Sequence, residues 1–243
     1  MSPLAMINAW YLHNPPWKQV ERHANNAGEF STDWEKTEEI CRRMLQLRMQ
    51  LIPYLHAAFV RYHREGLPPF RALVMDYPDD PQVWSLSDEY LMGDCLLVAP
   101  VIVSESSRGV RDHLEGSGST KRSVYLPEGE WFDFWTGEKH LGKQRFVLET
   151  PLDRIPLFVK AGSILPLAQP TLHTEDPESW VLAPRVYGER ARSFTLYEDD
   201  GALNPTLTEV SLQWNPRTQT GQLVRGKPAG SSAYSVSAWT ELH

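Results

Sequence analysis

At 243 residues the chain has room for one large domain or two to three small ones, and its 41% hydrophobic and 23% charged residues are those of an ordinary soluble globular protein. A formal net charge of −7 argues against a nucleic-acid binder, which needs a concentrated basic face. No apolar run approaches the ~20 residues that span a bilayer, and the nine Trp, nine Tyr and eight Phe, with 19 Pro and 15 Gly, lean towards β-structure with well-defined turns.

Taken from the start, Met1-Ser2-Pro3-Leu4 shows no basic segment followed by an apolar one, so no signal peptide is visible. Residues 3–17 gather apolar side chains with no element before them. A strand-like run of this kind needs neighbours on both sides, expected from sequence outside the chain; a strand added to a later sheet is the alternative. From Thr32 to Gly66 the pattern turns helical. Thr32 and Glu35 have capping-box spacing, and Ile40, Met44, Leu47 and Leu51 recur on one helical face. Pro53 predicts an end or kink near Ile52 and a second helix over about Tyr54–Glu65, stopped by Gly66. Phe70–Met75 reads as a short strand. The first ~80 residues thus read strand, helix pair, strand: a fragment of an α/β fold, too small to close a sheet alone.

After Pro81 the character changes. Cys95–Val103 is an apolar run of buried-strand length, and residues 104–123 read as a long exposed loop. Short strand candidates follow at Val124–Leu126, Trp131–Trp135, Phe146–Leu148 and Leu157–Val159, spaced as in β-sandwiches. Alternation puts Trp131, Asp133 and Trp135 on one side of their strand and Phe132 and Phe134 on the other. A polar stretch at Gln169–Ser179 marks a second boundary. Beyond it Trp180–Val186, Ser193–Tyr197, Thr208–Trp214, Gln222–Val224 and Tyr234–Trp239 are further strands, with a hairpin-type turn at Asp200-Gly201. Cys41 and Cys95 sit in apolar segments and read as buried free thiols.

Several strings in this order resemble the C-terminal part of family 31 glycoside hydrolases, the α-glucosidase and α-xylosidase group. Ile52-Pro53-Tyr54-Leu55 is similar to "LPYLY", Phe70–Leu73 to the "RPL" of the last barrel strand with Ala72 for its proline, and Tyr77–Asp80 with Trp84 to "P-x-D…W". Leu91–Val101 resembles "LLGDSLLVAPV", Val124–Pro127 through Gly137 resembles "VYLP…WYD…TG", Ile155–Pro166 resembles "IPLFVRAGSIIP", and Leu196–Gly201 resembles "LYEDDG". The resemblance implies the C-terminal tail of a (β/α)8 TIM barrel followed by two all-β, sandwich-type domains. The boundaries are 1–82 for the barrel tail, 83–168 for the proximal sandwich and 169–243 for a distal β-domain. It also implies a retaining α-glycosidase acting on α-glucosides or α-xylosides, whose two aspartates are expected upstream of Met1. No catalytic residue is assigned within the chain.

One sugar contact is implied. Laid without gaps on the family's "SPLFRNH" from Ser2, the sugar-binding histidine falls on Asn8 and the arginine on Met6, a departure from the pattern. Asn8 can still donate to and accept from a hydroxyl, and Trp10 offers a stacking face; a buried amide beside a core Trp is the plain alternative. Elsewhere the residues carry less. Glu198-Asp199-Asp200-Gly201 lacks EF-hand spacing and reads as a hairpin turn. His56 and His63 share a helix face without a third ligand, so no metal is expected. Lys121-Arg122 reads as a charge pair at a loop tip, and Trp131–Trp135 as core and domain interface rather than a carbohydrate platform. No cofactor is expected, and the partner is a carbohydrate substrate. The competing reading is a standalone, non-catalytic β-rich module that binds carbohydrate or a partner.

Overall fold

A computed structural model describes residues 34–101, 119–151, 153–190, 193–199, 202, 206–226 and 233–243. It opens on two helices, α1 (Trp34–Gln50) and α2 (Ile52–Glu65). The helical face read from the sequence is the buried one: Ile40, Met44, Leu47 and Leu51 are all inside. Pro53 is accepted in the first turn of α2, where its missing N–H has no intrahelical partner to lose. The break between the helices is a single residue, because the Leu51 N–H reaches the Leu47 carbonyl at 3.0 Å and the Leu55 N–H reaches the Leu51 carbonyl at 2.9 Å. Gly66 closes α2 in the left-handed region, φ 73°, its N–H on the Tyr62 carbonyl.

The helices lie on the chain's own sheet. Strands β1 (Phe70–Ala72), β2 (Tyr90–Met92), β3 (Leu96–Val98), β4 (Ser119–Leu126), β5 (Glu130–Asp133), β6 (Lys139–Leu141), β7 (Gln144–Pro151) and β8 (Leu157–Lys160) follow. Six of them form an antiparallel sheet in the order β1-β2-β3-β8-β5-β6, while β4 and β7 pair as a separate ribbon. Period-two alternation sends each strand's side chains to two cores. Leu96, Val98, Leu157, Val159 and Phe132 face the helices, packing with Met44, Leu47, Leu51 and Leu55. Leu97, Phe158 and Trp131 face the ribbon, packing with Val124, Tyr125 and Leu126. Each such buried side chain contributes roughly 1.5–3 kcal/mol. Tyr54 pins α2 to the β2–β3 turn, donating to the Met92 carbonyl at 2.7 Å and accepting from the Cys95 N–H at 3.0 Å. Gly93 in that turn has φ 62°, and a Cβ there would run into the Tyr54 ring.

The distal part adds β9 (Ser163–Leu165), β10 (Val181–Leu182), β11 (Arg185–Tyr187), β12 (Ser193–Glu198), β13 (Thr208–Asn215), β14 (Thr220–Arg225), β15 (Ser235–Val236) and β16 (Thr240–Leu242). They form sheets β16-β11-β9, β12-β13-β14 and β10-β15 around a third core that includes Ile164, Leu182, Val186, Leu196, Leu212 and Trp214. β9 pairs with β11 across the polar stretch 169–179, and Ala57, Val60 and Tyr197 join α2 to β12.

Several expectations are corrected. The strand read over Phe70–Met75 ends at Ala72, because Leu73–Met75 turn into a 3-10 helix; what remains, β1, pairs with β2 in the antiparallel sheet. Of the Cys95–Val103 run, residues 95–101 are described, and in them the strand covers Leu96–Val98; the Ala99 N–H goes to the Pro156 carbonyl and Pro100 follows. Residues 119–123, read as loop, belong to β4, where pairing with β7 overrides their polar composition. Trp180–Val186 splits into a 3-10 turn, β10 and β11, with the break at Ala183-Pro184. Trp135 leaves the Trp131 face because β5 ends at Asp133, whose carboxylate accepts the Trp135 and Thr136 N–H groups at 2.7 and 2.8 Å. Both cysteines are free, Cys95 buried but Cys41 only half-buried.

Candidate functional site

Asn8 and Trp10, the residues with an implied sugar contact, lie outside the described residues, as do Thr32, Asp200 and Gly201. The other residues weighed from sequence fall on separate elements. His56 pairs with Asp199, Nε2 to Oδ2 3.3 Å, and Glu198 accepts the Tyr234 N–H at 3.1 Å. Among the described residues no group of three His, Cys, Asp or Glu is arranged to hold a metal ion. Trp131 is fully buried with its indole N–H on the Pro127 carbonyl at 3.0 Å, which leaves it no face for a ligand. Burial pushes the Cys95 thiol up to about 11, the condition of an inert thiol.

What the structure adds is a cleft of about 330 Å³ between β1 and the segment entering β2, lined by Phe70, Arg71, Ala72, Leu86, Ser87, Glu89 and Tyr90. Its guanidinium is already spoken for. Arg71 is 3% exposed in its side chain and grips Asp76 through two nitrogens, Nε–Oδ2 2.5 Å and Nη2–Oδ1 2.8 Å. Its Nη1 reaches the Gly93 and Pro68 carbonyls at 2.9 and 3.3 Å, and Asp94, itself bound to Arg61, lies 3.6 Å from Nη2. This is a clamp that holds β1 to the β2–β3 turn.

Glu89 is the opposite case. Its side chain is fully buried; Oε1 accepts the Tyr125 N–H at 2.9 Å while Oε2 has no partner. Arg122 of β4 lies close, Nη2 3.9 Å from Oε1, but spends Nη1 and Nη2 on Asp88 at 2.5 and 2.9 Å and leaves its buried Nε without a partner. Burial pushes the Glu89 carboxyl up to about 7, and Asp88 adds to the rise. The Tyr125 N–H and the Arg122 and Arg145 guanidiniums pull the other way. Arg122 is therefore no loop-tip charge: it ties the β4–β7 ribbon to the main sheet. The signal was obscure in sequence because the segment around it is Ser- and Gly-rich. Retaining glycosidase chemistry needs two carboxyls ~5–5.5 Å apart, whereas the described residues line this cleft with one, and that one is sealed from solvent.

Comparison with known proteins fits this geometry. Residues 66–165 match the glycosyl hydrolase family 31 C-terminal domain, a span from the end of α2 through β9. The chain belongs, through this domain, to glycosyl hydrolase family 31. It is 34% identical over 169 residues to an α-glucosidase 2 of Bacillus thermoamyloliquefaciens, covering 69% of this chain and 20% of that protein. It is also 34% identical over 166 residues to an α-xylosidase of Saccharolobus solfataricus, covering 68% and 21%. Among solved structures, a family 31 dextranase of Flavobacterium johnsoniae in complex with isomaltotriose superposes with a TM-score of 0.66 at 30% identity, over 89% of this chain and 25% of that one. The chain thus spans about a fifth of the length of these curated relatives.

Proposed function

We propose that this chain is the C-terminal part of a retaining α-glycosidase that hydrolyses O-glycosidic bonds of α-glucosides or α-xylosides, with both catalytic aspartates outside it. The observation that carries this is the match of residues 66–165 to the family 31 C-terminal domain, on a chain whose relatives are named α-glucosidase and α-xylosidase. In this reading residues 1–82 are the tail of the (β/α)8 barrel, 83–168 the proximal β-sandwich and 169–243 the distal β-domain. The β-domains brace the barrel, and Asn8 and Trp10 approach the sugar.

The exposed surface around β1 supports the barrel-tail assignment. Among the described residues β1 is an edge strand; Phe59, whose ring meets Phe70 of β1, is 39% exposed, and Met75, just after β1, is 53% exposed. A sheet edge beside large exposed apolar side chains is where a further layer of structure docks. A chimera tests the reading: residues 34–243 replace the matching C-terminal portion of the Bacillus α-glucosidase 2. A soluble, cooperatively melting chimera is expected to hydrolyse an aryl α-glucoside. The same folded chimera without turnover would contradict the proposal.

A further inference from the structure

One residue of the aromatic run Trp131–Trp135 takes no part in the cleft and stands partly outside the cores: Trp135. Trp131, Phe132 and Phe134 are buried, but Trp135 is only half-buried and stands on the ridge between two surface grooves of about 300 and 190 Å³. Its ring is fixed rather than loose. The indole N–H is bound to the Ile155 carbonyl at 2.7 Å, the Asp133 carboxylate holds its backbone N–H, and Phe134 meets it edge-on with ring centroids 5.1 Å apart.

The larger groove is also held rigid. Arg43 of α1 pairs with Asp153 at 2.7 Å in its lining, while Arg185 lies over the Phe134 ring and bonds its carbonyl at 3.3 Å. Between these struts, the side chains of Gln46, Gln50 and Arg154 line the groove with no hydrogen bond or ion pair among the described residues. Arg154 lines the second groove as well, facing Thr136, Glu138 and His140 across the ridge.

We infer that the two grooves flanking Trp135 form a non-catalytic binding site for a neutral oligosaccharide, with the indole as its stacking platform. The chemistry matches at each point. The face of a fixed aromatic ring is electron-rich and receives the C–H face of a pyranose. Vicinal hydroxyls offer alternating donors and acceptors; the Gln46 and Gln50 amides can both donate and accept, Arg154 donates, and Glu138 accepts. A mostly prebuilt cleft with a few placed polar groups is the usual form of a small-molecule site. Two grooves sharing one ring and one guanidinium suit a chain of sugar units better than a monosaccharide. The choice of an α-glucan probe rests on the glycosidase reading; the grooves themselves do not.

The test needs only this chain and no turnover, so its failure is distinct from failure of the chimera. Maltotriose and isomaltotriose are titrated into the protein by calorimetry, with the Trp135 indole N–H followed by NMR. Saturable binding that moves this resonance is expected. Trp135→Ala should weaken it at least about tenfold, a loss typical of a central aromatic contact. The double variant Gln46→Ala/Arg154→Ala, which changes side chains without a partner among the described residues, should weaken it with unchanged melting and stands in if Trp135→Ala does not fold. No saturable binding, binding that leaves the Trp135 resonance unmoved, or displacement of the sugar by inorganic phosphate would each overturn the site.

Discussion

Two arginines meet the β1–β2 part of the sheet, buried Arg71 from β1 and mostly buried Arg122 from β4, and end up in contrasting states. Arg71 has bonds from all three guanidinium nitrogens, to a carboxylate it grips twice and to backbone carbonyls. Arg122 leaves Nε bare, beside a carboxylate, Glu89, that leaves Oε2 bare. The difference teaches that burial of charge is not one condition. A fully satisfied guanidinium fixes its neighbours at any ordinary pH, whereas a half-satisfied pair leaves a carboxyl that can gain or lose a proton near neutrality.

The comparison breaks most visibly at the clamp. Arg71→Ala removes the bonds to Asp76, Gly93 and Pro68 from a 3% exposed site, and is expected to cost about 3–5 kcal/mol, read as a lowered urea midpoint. A cost under about 1 kcal/mol would mean the clamp is ornamental. At the other arginine the effect depends on pH. The Glu89 carboxyl is held at about 7 when folded, against an ordinary value near 4.5, so the folded state binds the extra proton between those values. Its contribution is therefore most favourable below about pH 4.5 and is lost as pH rises through about 7, by up to roughly 3 kcal/mol. Glu89→Gln keeps an acceptor for the Tyr125 N–H and should flatten the fall in melting temperature between pH 5 and pH 8. An identical slope in the two proteins would place the titration elsewhere.

A smaller effect is expected at Tyr125→Phe, which deletes the hydroxyl bond to Asp80 at 2.6 Å but keeps the ring under the ribbon; about 1 kcal/mol is the expected loss. Smallest is Lys121→Ala. Its partner Glu149 lies 3.3 Å away on the paired strand, and both side chains are well exposed, so the change should stay below about 0.5 kcal/mol. Adjacent residues 121 and 122 would then differ widely in cost, since they point to opposite faces of β4.

Much of this frame was legible in the residues. The spacing of Ile40, Met44, Leu47 and Leu51 gives the buried face of α1, and Pro53 and Gly66 punctuate the helices at the joint and at the end of α2. The motif order from Leu91 to Pro166 points to the family that residues 66–165 match. What stayed hidden depended on partners far along the chain. Nothing local in Ser-Thr-Lys-Arg-Ser announces a strand; β7, some 25 residues later, supplies its hydrogen bonds. Alternation alone put Trp135 beside Trp131, because the carboxylate that ends β5 acts through a turn and not through periodicity. β1 reads as a companion of the helices before it, yet its register belongs to Tyr90–Met92. Glu89 and Arg122 are 33 positions apart and meet only through the packing of the ribbon on the sheet.

In the role proposed above, this chain holds and shapes an α-glycosidase without performing its chemistry. The most direct measurement is hydrolysis of an aryl α-glucoside and an aryl α-xyloside by the purified 243-residue protein. Folded protein with no turnover above buffer is the predicted result. Turnover that survives repurification and scales with the protein would contradict it.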